Sequence, residues 1–249
     1  MMNLPAKTIE LLNCPIFCYH HFSFCKHDDM AHKTTAQKFE EDIQILLNNG
    51  YTSITLKDRY EYENGDKELP QKPFIITIDD GYESCYKIAF VLLKKYGIFA
   101  DIFINTSSVG IKINDINGKF LSFMDWGQAA EMEQSGLINI HSHGKWHQKN
   151  TEMNDEKFLE NINESYRQIK EIKVNKDFIC YSYPTGDFNE KTIQAVKKQG
   201  YAYQLISNSV ITQQNIREGC AGRMNADYHQ NMLRLLEYRQ YFIDILEIK

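Results

Sequence analysis

The chain has no run approaching the ~18 consecutive apolar residues of a membrane-spanning helix, so no membrane span is expected. Its start, MMNLPAKTIELLNC, lacks the basic stretch and long apolar core of an export signal. A cytoplasmic location is therefore expected, with secretion left open should an upstream segment be missing. Basic excess is also absent: 28 Lys and Arg against 33 Asp and Glu give a net charge of -5, with the cations scattered, so nucleic acid is not an expected partner. The six cysteines form no CxxC pair, which excludes a tight zinc knuckle or a dithiol redox motif. They are expected to be free thiols, mostly buried. Low-complexity tracts, repeats and long linkers are missing too, and 249 residues with 43% hydrophobic content can fill one sizeable core. A single domain over residues 1–249 is expected; the oligomeric state is left open.

What the chain does contain is an alternation. Short apolar runs at Pro15–Tyr19, Thr52–Thr55, Phe74–Ile78, Phe99–Ile104, Leu137–Ile140, Phe178–Tyr183 and Tyr201–Ile206 read as strands. Segments of helical period lie between them, at Thr35–Asn48, Ser84–Tyr96, Asp125–Gln134, Asp155–Ile172 and Glu190–Gln199. Strand and helix repeated this often predict a parallel sheet or a closed or distorted (β/α) barrel, with chemistry at the C-terminal strand ends. The stretch Gly110–Lys119 reads as a loop or small hairpin over the barrel mouth.

Four strand ends carry candidate chemistry. After Phe74–Ile78 comes Asp79-Asp80-Gly81. Two tandem carboxylates cannot both enter a core unpaired, so they form either a solvated turn or a site in which one ligates a metal and its neighbour takes a proton from water. After Leu137–Ile140 comes HSHGKWH, holding three of the chain's eight histidines. His143 and His147, four apart, would share one face of a helical turn and reach one ion, leaving His141 either behind the ligands as their support or in the wall. One aspartate and two imidazoles leave positions open for water and substrate; zinc suits such mixed N/O donors, and cobalt, nickel or iron would also fit. The third end is YSYPTGDFN, an ordinary loop or a turn that aims a backbone N–H at developing negative charge. The fourth is FCYHHF, where a histidine is either a core or rim residue or a proton donor. Tyr82, Trp126, Trp146 and Tyr183 are candidate stacking walls for a sugar ring.

Taken together these segments resemble the polysaccharide deacetylase family, also called the NodB-homology family or carbohydrate esterase family 4. Thr77-Ile78-Asp79-Asp80-Gly81 matches its T-F-D-D-G motif and His143 with His147 its H-S/T-x-x-H motif. LSFMDWGQAAEMEQSGLINIHSH and YSYPTGDFNEKTI are similar to further family segments, and the likeness runs from about Ile16 to Leu236. The resemblance implies a distorted (β/α)7 barrel and metal-dependent hydrolysis of an acetyl group, N-linked above all, on an amino-sugar-containing saccharide. It implies Asp79 as catalytic base, Asp80, His143 and His147 as metal ligands, and the Thr185 N–H as oxyanion donor. The family's usual Leu-x-His acid has no match after Tyr201, whereas Tyr19-His20 matches the Tyr-His pair of members similar to poly-N-acetylglucosamine deacetylases, which implies His20 as acid. Three departures stand out. Gly144 replaces a Ser or Thr, Thr185 replaces a common tyrosine, and Ser182 replaces an arginine that orients the base, for which Arg223 in GCAGRMNADY is the candidate substitute. Two other readings stay open, an amidohydrolase of the same fold acting on a small non-sugar amide and a catalytically inactive carbohydrate-binding relative.

Overall fold

Branched and aromatic residues in short runs form strands, and the longer amphipathic segments form helices that bury one face. The computed structural model describes residues 13–25, 32–114, 120–207, 220–227, 231–237 and 240. In chain order the elements are β1 (Ile16–Tyr19), β2 (His21–Ser23), β3 (Lys33–Thr35), α1 (Ala36–Asn48), β4 (Thr52–Ser53), α2 (Leu56–Asn64) and β5 (Pro73–Ile78). They continue with α3 (Phe90–Tyr96), entered through a π-helical turn at Cys85–Ala89, then β6 (Ala100–Ile104), β7 (Lys112–Asn114), β8 (Phe120–Ser122), α4 (Trp126–Gln134) and β9 (Ile138–Ser142). The last are α5 (Asp155–Ile172), β10 (Cys180–Ser182), α6 (Glu190–Gln199), β11 (Tyr203–Ser207) and β12 (Cys220–Asn225).

Strands β1, β12, β11, β10, β9, β6 and β5 pair in that order, and β5 pairs back onto β1, so seven parallel strands close a barrel. This is the distorted (β/α)7 architecture expected from the sequence. The distortion is local: β6 and β9 share the register from Ala100↔Ile138 to Ile104↔Ser142, whereas β9 and β10 meet only at Ser142↔Tyr181. Strand β4 lies outside the ring, on β5.

The two-residue period of a strand sends alternate side chains to opposite faces. On β5, Phe74, Ile76 and Ile78 join Phe39, Ile43 and Leu46 of α1, Leu93 of α3, Ile162 of α5 and Val196 of α6 in the layer between strands and helices. Ile75 instead clusters with Ile16, Phe103, Cys180, Leu205 and Ala221, so that six of the seven ring strands contribute to it, which places this second cluster inside the barrel. Leu56, the first residue of α2, belongs to that interior cluster and donates its N–H to Asp101 Oδ2 at 2.9 Å, so α2 closes the floor. Side-chain caps fix where helices begin: Thr35 on α1, and reciprocal boxes of Thr55 with Asp58, Asp125 with Gln128 and Asn189 with Thr192.

The expected helices match the observed ones closely, but β12, β2, β3 and α2 were not expected. Strand β9 runs two residues beyond the expected end, so His141 and Ser142 are part of it, and β10 is shorter than expected. The stretch Gly110–Lys119, expected as a loop or small hairpin, contains β7, which pairs antiparallel with β8 just beyond it, Lys112 opposite Ser122; residues 115–119 lie outside the described set. All six cysteines are free, Cys25 alone being exposed. No helix of the described residues is long and apolar enough to cross a membrane.

Candidate active site

The interior column that begins at Ile75 continues on β5 through Thr77 to Asp79, 1% exposed at the strand's end. Arg223 reaches it from β12: Nη1 donates to Asp79 Oδ1 at 2.7 Å and Nη2 to Oδ2 at 2.6 Å. Ser182 of β10 completes the cradle, its Oγ accepting from Arg223 Nη2 at 2.8 Å and donating to Asp79 Oδ2 at 3.2 Å. A two-pronged guanidinium contact is the geometry in which a buried ion pair offsets its desolvation. Burial pushes the Asp79 carboxyl up, but the Arg223 charge, with His143 behind it, outweighs that and holds it well below the usual carboxylate range.

Asp80 must face elsewhere, and the backbone turns it there. It adopts the left-handed conformation with φ 71°, uncommon for a residue with a side chain. Gly81 follows with φ 77°, and a Cβ there would stand 2.8 Å from Ile104 Cγ2, so only glycine lets this turn lie against β6. The result separates the two carboxylates, Asp79 to the interior and Asp80 towards the mouth.

His143 continues the inward face of β9. It donates from Nδ1 to the Ser182 carbonyl at 2.8 Å, which fixes its tautomer and leaves Nε2 as a lone-pair donor 3.6 Å from Asp80 Oδ1. Burial lowers its pKa, favouring the neutral ring a metal needs. His147 Nε2 lies 3.4 Å from the same Asp80 oxygen, its side chain 45% exposed. The helical turn expected across His143–His147 does not form: Gly144 has φ 80°, and the two rings converge across a bent loop, centroids 5.3 Å apart. Asn161 of α5 ties that loop, its Oδ1 accepting from the N–H groups of Lys145 and Trp146, while Ser142 Oγ accepts from Gly144 N. A Cβ on residue 144 would stand 2.9 Å from Asn161 Nδ2 and 3.1 Å from Tyr181 Oη. Glycine at this position is thus matched to a loop fixed from outside rather than by a hydroxyl of its own.

Asp80 Oδ1 is buried and has no hydrogen-bond partner, a costly state for a carboxylate oxygen. It faces two imidazole nitrogens, and one donor atom from each of Asp80, His143 and His147 lies within 4.8 Å of the others. An orphaned anionic oxygen between two lone-pair nitrogens fits a divalent cation, and this donor set is that of a three-ligand site with a position left open.

Across the mouth stands His20, just past β1. Its Nδ1 lies 2.6 Å from Asp227 Oδ2, and Thr34 Oγ1 donates to the other Asp227 oxygen at 2.7 Å. Burial lowers the His20 pKa, but the hydrogen bond to Asp227 and the Asp79 charge outweigh it, so the net shift is upward and the ring holds its proton to higher pH. Donor atoms of His20 and Asp79 lie within 4.8 Å of each other. Sequence reasoning missed Asp227; read as a strand, Cys220–Asn225 would have put it at a barrel strand's C-terminal end. Thr185 sits in the turn after β10, with left-handed φ 59° and an exposed side chain. His141 is fully buried one step below His143, hydrogen-bonded to Asp101. Tyr183 is also fully buried and cannot line a sugar site, whereas Tyr82, Trp126 and Trp146 are partly exposed.

The sequence profile described as polysaccharide deacetylase matches residues 66–204. The chain is 33% identical to YxkH of Bacillus subtilis over 195 residues, 78% of this chain and 64% of that protein. It is 30% identical to the poly-β-1,6-N-acetyl-D-glucosamine N-deacetylase of Staphylococcus epidermidis over 179 residues, 69% of this chain and 60% of the other. The match thus spans less than two thirds of either relative. Among solved structures, the Streptococcus pyogenes deacetylase PplD superposes with a TM-score of 0.76 at 19% identity, covering 90% of this chain and 96% of that one. IcaB from Ammonifex degensii gives 0.74 at 22%, covering 91% and 97%. These two similarities concern the fold.

Proposed function

Because this chain belongs to the polysaccharide deacetylase family, we propose that it is a metal-dependent hydrolase that removes N-acetyl groups from an amino-sugar-containing saccharide. One observation carries the reading: His143 and His147 converge on an orphaned carboxylate oxygen of Asp80, while a clamped carboxylate, Asp79, and an imidazole paired with Asp227, His20, flank the same mouth. The Staphylococcus epidermidis relative is named for a β-1,6-linked N-acetylglucosamine polymer, and a polymer of that chemistry is the first substrate to try.

Asp80, His143 and His147 would hold the ion, zinc before cobalt, nickel or iron. When bound, it supplies Lewis acidity towards the acetyl carbonyl and towards water. Asp79, kept ionised and fixed in direction by Arg223 and Ser182, accepts a proton from the attacking water. The Thr185 N–H, presented by its left-handed turn, donates to the oxygen that gains charge, a contact typically worth about 3 kcal/mol. His20, held by Asp227, gives its proton to the nitrogen as the C–N bond breaks, leaving acetate and a free amine.

The test is acetate release from N-acetylglucosamine oligomers, β-1,6-linked ones first, with O-acetylated and simple amide substrates as controls. Release from the N-acetyl sugars that is lost on chelation and restored by zinc is expected. Release unaffected by chelation, or confined to the simple amides, would overturn the reading.

A further inference from the structure

The proposed reaction uses His20 and Asp227 but leaves a third group beside them without a role. Strands β2 and β3 run parallel, with His21 opposite Lys33, and the His21 N–H donates to the His32 carbonyl at 3.2 Å. His32 has φ 53°, in the left-handed region that histidine, like Asn and Asp, enters more readily than most residues with a side chain. Its ring lies 4.7 Å, centroid to centroid, from that of His20. One donor atom from each of His20, His32 and Asp227 lies within 4.8 Å of the others; the His20 side chain is 14% exposed, and the Asp227 carboxylate is buried behind it.

Two imidazoles and a carboxylate repeat the donor chemistry of Asp80, His143 and His147 on the opposite side of the mouth. The two sets differ in what binding must displace. Asp80 Oδ1 has no partner to give up, whereas both Asp227 oxygens are engaged, one by His20 and one by Thr34. The second set should therefore bind more weakly.

We propose that His20, His32 and Asp227 form a second divalent-cation site, and that its filling inhibits the enzyme. An ion bound there takes an imidazole lone pair of His20, and the proton that His20 carried is released to solvent. The same ring cannot then protonate a departing nitrogen. The inhibition rests on the reading of His20 as the acid; the binding does not.

The test uses the full chain, stripped of metal and titrated with cobalt(II), read by visible absorption and bound-metal stoichiometry, with acetate release followed in parallel as zinc is raised. Wild type should bind two equivalents, one tight and one weak. His32→Gly keeps the left-handed backbone and should bind only the tight one, while His147→Ala should lose the tight one and keep the weak; His32→Asn, which also tolerates that backbone, checks the first result. Beyond one equivalent of zinc, wild-type activity should fall by about tenfold or more, while His32→Gly should change by less than about twofold. A single equivalent in wild type, two in His32→Gly, or undiminished zinc inhibition in that variant would each overturn the proposal. Should no substrate release acetate, two equivalents in wild type and one in His32→Gly would still uphold the site, and only the proposed reaction would fail.

Discussion

On the floor side of the barrel interior, His141 Nε2 donates to Asp101 Oδ1 at 3.0 Å and its Nδ1 accepts from the Cys180 N–H at 3.2 Å, so both ring nitrogens are satisfied. Two residues further along, His143 satisfies only Nδ1 and turns Nε2 towards an aspartate oxygen that has no partner. The carboxylates differ in the same sense. Among the described residues no guanidinium pairs with Asp101, and burial pushes it up to about 7 despite the Leu56 N–H it accepts. Asp79 is as deeply buried, yet Arg223 holds it far below that. The same residue types are thus saturated on the floor and left reactive at the mouth. What separates His141 from His143, the proposed ligand, is the count of partners, not burial, since both are buried.

The sharpest way to break that comparison is to neutralise the mouth's clamped carboxylate. Asp79→Asn keeps an acceptor for Arg223 but removes the proton acceptor, so acetate release should fall about 10²- to 10⁴-fold. Bound metal should stay at the wild-type level, because the proposed ligand set does not include Asp79. Activity within tenfold of wild type would move the base elsewhere.

A smaller effect is expected from Asp227→Asn. Asp227 helps raise the His20 pKa, so its loss should lower it. His20 must be protonated to act as an acid, and activity that depends on it is lost as pH rises through its pKa. The alkaline limb of the kcat/KM profile should therefore move to lower pH in the variant, with the rate near pH 6 least affected. An unmoved limb would show that His20 is not the titrating acid.

The contrast between the two ends also explains what the sequence could and could not reveal. Asp79-Asp80-Gly81 and His143/His147 were legible because each is a cluster of chemistry-bearing residues directly behind an apolar run. Strand β12 was not, because CAGRMN has no branched apolar residue: its interior positions are Ala221, filling the floor, and Arg223, serving the mouth. With β12 unseen, Asp227 had no strand to belong to. Helix α2 was hidden differently, since LKDRYEYEN has no apolar stripe and is held by its capping box and by Asp101 on its first N–H. The His143–His147 spacing suggested a helix; the left-handed Gly144 brings the rings together by another route.

The smallest effect on activity, and the most direct check on the floor, comes from His141→Leu. Were His141 a metal ligand, the substitution would abolish metal binding; as a saturated floor residue it should leave affinity and acetate release within about twofold, since the ligand-loss penalty of about 10- to 100-fold or more does not apply. Stability should suffer instead, by about 1–3 kcal/mol, because the Cys180 N–H and one Asp101 oxygen lose their partner. The pH dependence gives the sign. Asp101 is raised in the folded state to about 7, so the stability its protonation confers is full below the ordinary carboxyl range near 4 and is lost as pH rises through 7. The His141 N–H favours the ionised form, and without it ionising Asp101 inside the barrel costs more. Urea unfolding at pH 5.5 and 8.5 should therefore show the larger deficit at pH 8.5. A deficit larger at pH 5.5 would mean that His141 is charged in the folded protein, contrary to the downward shift that burial imposes on it.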